Sequence, residues 1–230
     1  MERDSKGRIK RKYPIKEKFF DIIDTEQKAY FLGFLFADGY NNTDRNSINL
    51  GLREDDKEIL EKLNVLIQPT KPLQYINQKA TRLKGTNTQN QYRLVMCSSY
   101  MSKKLDELGC SKSKTHFLKY PTDEVIPKEL QHHFIRGYFD GDGHVRKKKR
   151  EQFSITGNKD FIIGIQNLLI KQLTFKRTKL MVRFPERGTN TVSLISCGVN
   201  KAKSFSNWLY KDATIYLKRK KDIFDSYPFN

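Results

Sequence analysis

The stretch AYFLGFLFADGY at residues 29–40 returns in altered form as HFIRGYFDGDGH at residues 133–144, and this repeat decides the fold. At an offset of 104 residues three pairs of positions coincide: Gly33 with Gly137, Asp38 with Asp142, and Gly39 with Gly143. Self-similarity at a fixed spacing indicates that one structural unit is built twice. We therefore predict two related halves.

The sequence after each motif supports the same prediction. Alternating residues at 47–52 and 153–156 predict strands, and apolar residues at helical spacing predict helices within 56–67 and 160–173. Each half continues with two more strand-like runs and another amphipathic segment. With the motif as the first helix, each half is predicted to be αββαββα, so the chain belongs to the α+β class.

Segment boundaries follow from composition. Residues 1–24 begin with a basic stretch that could follow a phosphate backbone or serve only as a solvating tail. Two prolines, Pro121 and Pro127, indicate a connector between the halves. The expected division is a basic arm over 1–24, a first half over 25–124 and a second half over 125–230.

The net charge of the chain points to a polyanionic partner. Lys and Arg number 44 against 26 Asp and Glu, which leaves +18, while 37% apolar residues suffice for a folded core. A field this positive favours nucleic acid first and an anionic membrane surface second. The longest apolar run, residues 29–37, is too short to span a bilayer, and no signal peptide is recognisable.

The cysteines bear on the compartment. Three cysteines, Cys97, Cys110 and Cys197, form no CxxC pair, so neither a disulfide framework nor a zinc module is expected. We expect an intracellular protein in a reducing compartment, the cytoplasm or an organelle with its own genome, and not a secreted one. Cys97 and Cys197 end corresponding strands and are predicted to be core thiols.

Small residues mark one face of each motif helix. Gly33 and Ala37 are i and i+4 neighbours, as are Gly137 and Gly141, so two such helices could pack until their backbones nearly touch. Gly39 and Gly143 occupy positions where a residue in the left-handed conformation would end each helix.

The aspartates at the ends of these helices occupy electrostatically unfavourable positions. A carboxylate at a helix C-terminus is unfavourable because the macrodipole already places negative charge there, yet both Asp38 and Asp142 take this position. If the helices pack side by side, the two carboxylates converge. A hard divalent cation, Mg²⁺ or a similar ion such as Mn²⁺, would neutralise them and could act on phosphodiesters.

These segments resemble the LAGLIDADG motif of homing endonucleases, in the single-chain form with two motifs, and the likeness covers residues 25 to 225. The resemblance implies a monomer whose four-stranded antiparallel, saddle-shaped sheets lie in the DNA major groove. It also implies that Asp38 and Asp142 are catalytic metal ligands, supplemented by the backbone carbonyls of Ala37 and Gly141. The earlier acid of the motif is Asp140 in the second half but Phe36 in the first.

The resemblance further implies a lysine near the site in each half. By register these are Lys114 in CSKSKT and Lys220 in YLKRKK, either as catalytic groups or as solvated surface lysines. A solvent-positioning polar residue is expected after the first long strand, which leaves Glu54 or Asp55 in one half and Asn158 in the other. A helix N-cap is the alternative role for these residues.

The basic block RKKKR directly follows the second motif and is predicted to hold a phosphate backbone. Strand-like segments carry further groups that can read base edges. The predicted DNA-binding residues are Asn49, Arg53, Gln74, Asn77, Lys79, Arg93, Arg146, Lys147, Lys148, Lys149, Arg150, Gln152, Lys179 and Arg183, with Ser193 as a further polar group.

The leading hypothesis is therefore a sequence-specific, metal-dependent endonuclease that cuts both strands of double-stranded DNA at a long asymmetric site. The alternative is an intron-RNA maturase or a non-cleaving DNA-binding regulator on the same scaffold. We expect a free-standing or intron-encoded protein rather than the endonuclease domain of an intein, because residues 25 to 225 leave little room for splicing segments.

Overall fold

A computed structural model describes residues 11–77, 89–112, 117–146, 151–183, 185 and 190–228 of the chain. The first half contains α1 (Glu26–Asp38), β1 (Gly39–Asn42), β2 (Ser47–Arg53), α2 (Lys57–Ile67), β3 (Gln74–Ile76), β4 (Gln91–Cys97) and α3 (Ser99–Glu107). The second contains α4 (Gln131–Asp142), β5 (Gly143–Val145), β6 (Gln152–Asn158), α5 (Lys159–Leu173), β7 (Met181–Val182), β8 (Thr191–Cys197), α6 (Val199–Leu209) and α7 (Lys218–Asp225). The predicted αββαββα order is confirmed in both halves, and the second half adds α7.

Each half builds one four-stranded antiparallel sheet. The strand orders are β1-β2-β4-β3 and β5-β6-β8-β7, so the two sheets have the same topology. Their registers also match, because Arg53 lies opposite Gln91 at one end of β2 and Asn158 lies opposite Thr191 at the same end of β6. Arg53 and Asn158 are therefore structurally equivalent positions.

The strands alternate between a core face and an open face. In β2, Ile48, Leu50 and Leu52 are buried, whereas Asn49 and Arg53 point to the other side. This is the pattern expected of a sheet that has one face packed on the core and one face turned to solvent. Each half thus presents one open, largely polar sheet surface, called here the open face.

The helix α1 is buried on every side. Thr25 caps its N-terminus, since its hydroxyl accepts a hydrogen bond from the backbone N–H of Lys28 at 3.4 Å. All residues from Ala29 to Phe36 are buried. A helix that is apolar all round is one enclosed by protein. Here the enclosing elements are its own half and α4 of the other half, so the core is continuous across both halves.

Two details of the prediction were wrong. Gly39 and Gly143 are extended rather than left-handed, with φ of −72° and −90°. Glycine is required there for space instead: a Cβ at Gly39 would come within 2.7 Å of the Leu35 backbone. Cys97 and Cys197 are exposed rather than buried, since the alternation of side chains along each strand puts its last residue on the open face.

In the described part of the chain, no helix is both long and apolar enough to cross a membrane.

Candidate active site

The two motif helices touch through backbone atoms. A Cβ at Gly33 would overlap the carbonyl oxygen of Phe134, and a Cβ at Gly137 would overlap the carbonyl oxygen of Tyr30. Only glycine leaves room for this approach, since any side chain would force the helices apart. The contact brings the C-terminal ends of α1 and α4 together.

The carboxylates lie at this junction. A Cβ at Gly141 would overlap the Ala37 side chain and would come within 3.0 Å of Asp38 Oδ2, so the Asp38 carboxylate lies directly beside the partner helix. Asp38 and Asp142 are both exposed. Two carboxylates and two helix C-termini therefore concentrate negative potential at one place on the surface.

The buried side chain of Tyr138 lies close to this negative potential. Its buried hydroxyl donates to the carbonyl of Thr156 at 3.0 Å and lies within hydrogen-bonding range of the Asp142 carboxylate. Burial, followed by the negative charges of Asp142 and Asp38, raises the pKa of this phenol well above its ordinary value. The phenol therefore stays protonated beside the carboxylates, with its one proton donated to the Thr156 carbonyl.

Lys220 is buried and bound to backbone carbonyls rather than solvated. Its side chain is buried, and its ammonium donates to the carbonyl oxygens of Phe139 at 2.6 Å, Asp140 at 2.7 Å and Gly143 at 2.6 Å. A fourth carbonyl oxygen, that of Gly141, is 3.4 Å away. A cation on the last carbonyls of a helix offsets the macrodipole, so Lys220 caps the C-terminus of α4. Burial lowers its pKa to about 8.

Replacing Lys220 with methionine is expected to lower the free energy of unfolding by about 3 kcal/mol, because buried carbonyls would lose a charged donor. Chemical denaturation measures the change. Lys218→Met is the matched control on the same helix, since Lys218 is exposed and pairs with Asp222 at 2.8 Å. We expect it to change stability by less than about 0.5 kcal/mol. Equal stability of the two variants would contradict the capping role.

Asp140, the earlier acid of the second motif, positions the helix that carries Lys220. Its buried carboxylate accepts a hydrogen bond from the hydroxyl of Tyr30 at 2.7 Å and another from the backbone N–H of Leu217 at 2.8 Å. Leu217 immediately precedes α7. Burial raises the pKa of Asp140. The residue thus links α1 of the first half to α7 of the second.

A family model described as a LAGLIDADG-like domain matches residues 129–206. The resemblance noted from the two motifs is therefore confirmed. The matched segment contains α4, the helix of the second motif.

Solved structures show the same fold over almost the whole chain. The homing endonuclease I-WcaI bound to its DNA recognition sequence superposes with a TM-score of 0.62 at 12% identity, covering 90% of this chain and 91% of that one. The I-LtrWI LAGLIDADG homing endonuclease bound to target DNA gives 0.54 at 10% identity, with 87% and 90% covered. The predicted α+β fold of two pseudo-symmetric halves is confirmed.

One curated relative is a probable translation initiation factor IF-2 of Methanocaldococcus jannaschii, 30% identical over 183 residues. The match takes in 77% of this chain but only 14% of that protein. The chain thus spans a small part of the length of the relative it matches.

The C-terminal ends of the motif helices α1 and α4 offer oxygen donors to a cation. Among the described residues no three His, Cys, Asp or Glu side chains form a cluster, so a cation here would rely on the two carboxylates and on backbone carbonyls. Such oxygens are the ligands that Mg²⁺ and Mn²⁺ prefer. Of the carbonyls near Lys220, that of Gly141 is the one held at the longest distance, 3.4 Å. Asp38, Asp142 and this carbonyl therefore fit a divalent ion.

Two clefts flank the helix ends, and each is built from both halves. The first cleft, of 860 Å³, is lined by Arg53 of β2 together with Gly141, Arg219 and Lys220 of the second half. The second cleft, of 250 Å³, is lined by Ala37 of α1 together with Asp142 and Asn158 of the second half.

The residues expected to position solvent in the first half are Glu54 and Asp55. They follow Arg53 in the chain, and neither lines the first cleft. Asn158 does line the second, while its side chain caps α5 by accepting from the N–H of Asp160 at 2.9 Å.

Most of the predicted DNA-binding residues that the structure describes lie on or beside the open faces. Asn49, Arg93 and Gln74 share the first open face, since Gln74 lies opposite Arg93 and Asn49 is on the neighbouring strand. On the second half, the guanidinium of Arg146 donates to Gln152 Oε1 at 3.1 Å. Further members of this group are exposed in loops beside the sheets: Asn77 and Lys179.

Ser193 is not available for base contacts. Its side chain is buried, and its hydroxyl bonds to Thr156 Oγ1 at 2.7 Å and accepts from Arg183 Nε at 2.9 Å. Arg183 lies above it on the open side. Several predicted residues lie outside the described part of the chain: Lys79, Lys114, Lys147, Lys148, Lys149 and Arg150.

Sequence reasoning missed the residues that join the halves near the site. Arg219 donates from Nε and Nη2 to the carboxylate of Asp56, at 3.0 and 2.8 Å. Arg136 is fully buried and donates to Glu26 Oε1 at 2.5 Å. In both pairs the acid belongs to the first half and the arginine to the second. The only sequence signal was a charged residue inside an apolar motif, at Arg136.

Proposed function

We propose that the chain is a sequence-specific endonuclease that hydrolyses both strands of double-stranded DNA with a divalent metal held by Asp38 and Asp142. The observation that carries the proposal is the pair of exposed carboxylates on helices in backbone contact, beside clefts that are lined by both halves. The DNA-bound state of the similar solved structures supports the choice of partner. A net charge of +18 supports it as well.

In this mechanism the open faces bind the duplex and set its register. Arginine, asparagine and glutamine side chains such as Arg93, Asn49 and Gln74 reach base edges, and the surrounding positive charge holds the phosphates. Asp38 and Asp142 hold the metal, supplemented by the carbonyl of Gly141. When bound, a divalent cation polarises the phosphate, lowers the pKa of a water molecule and neutralises charge on the leaving oxygen.

The remaining residues of the site orient rather than react. Tyr138 keeps its proton beside the Asp142 carboxylate, while Lys220 holds the last carbonyls of α4 in place. Because both clefts combine residues of the two halves, one chain supplies a complete pair of sites, and we propose that it acts as a monomer. The two clefts would serve the two antiparallel strands.

Cleavage-site selection from a randomised duplex library tests the proposal. With Mg²⁺ or Mn²⁺ present, we expect one long asymmetric sequence to be enriched among the cleaved products, and with a chelator we expect none. Recovery of a bound sequence that is never nicked with either ion would contradict the endonuclease and favour the non-cleaving regulator. Selective binding of a structured RNA in a parallel selection would favour the maturase.

The exposed thiols allow a direct check of the binding surface. Cys97 and Cys197 lie on the two open faces, whereas Cys110 is buried in the core. With the selected duplex at ten times its Kd, maleimide modification of both exposed thiols is expected to slow about tenfold, because only the free protein reacts. Mass spectrometry counts the modified sites, and Cys110 should stay unmodified throughout. Unchanged modification of both thiols would place the DNA elsewhere.

A further inference from the structure

We propose that Arg53 and Arg219 form a phosphate-binding subsite in the first cleft, and that the strand bound there is cut before the other. This inference rests on the proposed function and deepens it, since it assigns the two clefts unequal roles. The two guanidinium groups come from opposite halves and line the same 860 Å³ cleft as Gly141 at the end of α4.

Arg219 is held in a fixed orientation. Its Nε and Nη2 donate to the carboxylate of Asp56, which is only 6% exposed, and Nη1 takes no part in these bonds. The Arg219 side chain itself is 43% exposed. A planar guanidinium fixed in this way is preorganised for a phosphate oxygen.

Arg53 has an unused donor at the same cleft. Its Nη2 pairs with the exposed carboxylate of Asp55. Its Nε is buried and has no hydrogen-bond partner among the described residues. A buried donor without a partner costs free energy, and a phosphate oxygen entering the cleft would remove that cost. Among the described residues, the one carboxylate that lines the cleft is that of Asp222, which is paired with Lys218 at 2.8 Å.

The second cleft has a neutral residue at the position that matches Arg53. The sheet registers make Asn158 the counterpart of Arg53. The guanidinium of Arg53 in the first cleft therefore corresponds to an amide in the second cleft. Preorganised positive charge stabilises a phosphoryl group that gains negative charge in the transition state, so the first cleft should act faster.

Strand-resolved cleavage tests the inference. A duplex carrying the selected site, labelled on either strand, is cut with Mg²⁺ in a time course, and a supercoiled plasmid with the same site reports the nicked intermediate. We expect one fixed strand to be cut about tenfold faster than the other, which corresponds to one decade of rate. Equal rates for the two strands of the wild type would overturn the subsite while leaving the endonuclease intact.

Variants connect the preference to the arginines. Arg53→Asn copies the residue of the other half, and Asp56→Asn with Arg219→Ser removes the second guanidinium without leaving a buried carboxylate unpaired. Each is expected to slow the faster strand about tenfold and leave the slower strand unchanged. Lys62→Asn is the control, because Lys62 is exposed on α2, pairs with Glu58 at 2.7 Å and lines neither cleft, and it should keep the ratio of the two rates.

Binding gives a second readout that does not depend on cleavage. With a chelator present, the salt dependence of duplex binding is measured for each variant, with the Kd followed by filter binding. Loss of one phosphate contact is expected to reduce the slope of log K against log salt by about 1. Unchanged slopes in both Arg53→Asn and the Asp56→Asn/Arg219→Ser variant would overturn the subsite even if no duplex is ever cut.

Discussion

Asp142→Asn is expected to lower the rate of double-strand cleavage by about 10³-fold and, at the same time, to stabilise the fold. The amide removes the charged metal ligand, and loss of one such electrostatic group commonly costs 10²- to 10³-fold in rate. Stability should rise by about 0.3–1 kcal/mol, because the carboxylate lies at the C-terminal end of α4, where the helix dipole opposes it. Cleavage assays with Mg²⁺ and chemical denaturation measure the two effects.

This prediction is specific because Asp142→Asn is expected to lower the cleavage rate and at the same time to raise the stability. Asp106→Asn is the control, since Asp106 is an exposed carboxylate near the end of α3 and away from both clefts. It is expected to bring a similar small gain in stability with no loss of cleavage. Full double-strand cleavage by Asp142→Asn would remove the central claim of the proposed function.

Gly137→Ala is expected to lower the free energy of unfolding by about 3 kcal/mol or more, the upper end of what overpacking costs. The added methyl would overlap the carbonyl oxygen of Tyr30, a backbone atom that cannot move aside by changing rotamer. The helices α1 and α4 would have to separate, and the aromatic side chains around them would lose contacts. Urea denaturation followed by circular dichroism gives the change.

A matched glycine separates this clash from a general effect of alanine. Gly51 lies in β2, where a Cβ would find no atom closer than 3.7 Å. Gly51→Ala is therefore expected to be neutral or slightly stabilising, because alanine loses less backbone entropy on folding. If Gly137→Ala proved no more destabilising than Gly51→Ala, the two helices could not be in backbone contact.

The fold was predictable because short motifs in the sequence indicate the contact between the two motif helices. Gly33, Ala37, Gly137 and Gly141 recur at helical spacing, and this spacing has few explanations other than a close helix pair. The alternation along β2 and β6 likewise indicates one buried and one open face. Local patterns of this kind are visible in a single sequence.

The chemistry around the carboxylates was less accessible. The pair Arg219 and Asp56 joins residues 163 apart in the chain, and Lys220 reaches the carbonyl of Phe139 across 81 residues. Neither contact has a periodic signature, and a lysine within KRKK is indistinguishable from a surface lysine by composition. Cys97 was misplaced for a related reason: at the last position of a strand, one residue decides which face a side chain takes.

The enclosure of α1 has a consequence for how the molecule unfolds. Its buried face from Ala29 to Phe36 is completed only by α4, so neither half has a finished core without the other. A repeated sequence suggests two halves that fold independently. The packing of α1 on α4 instead couples the folding of the two halves. Separating the halves would expose apolar surface from both at once, so they should melt together in a single cooperative transition.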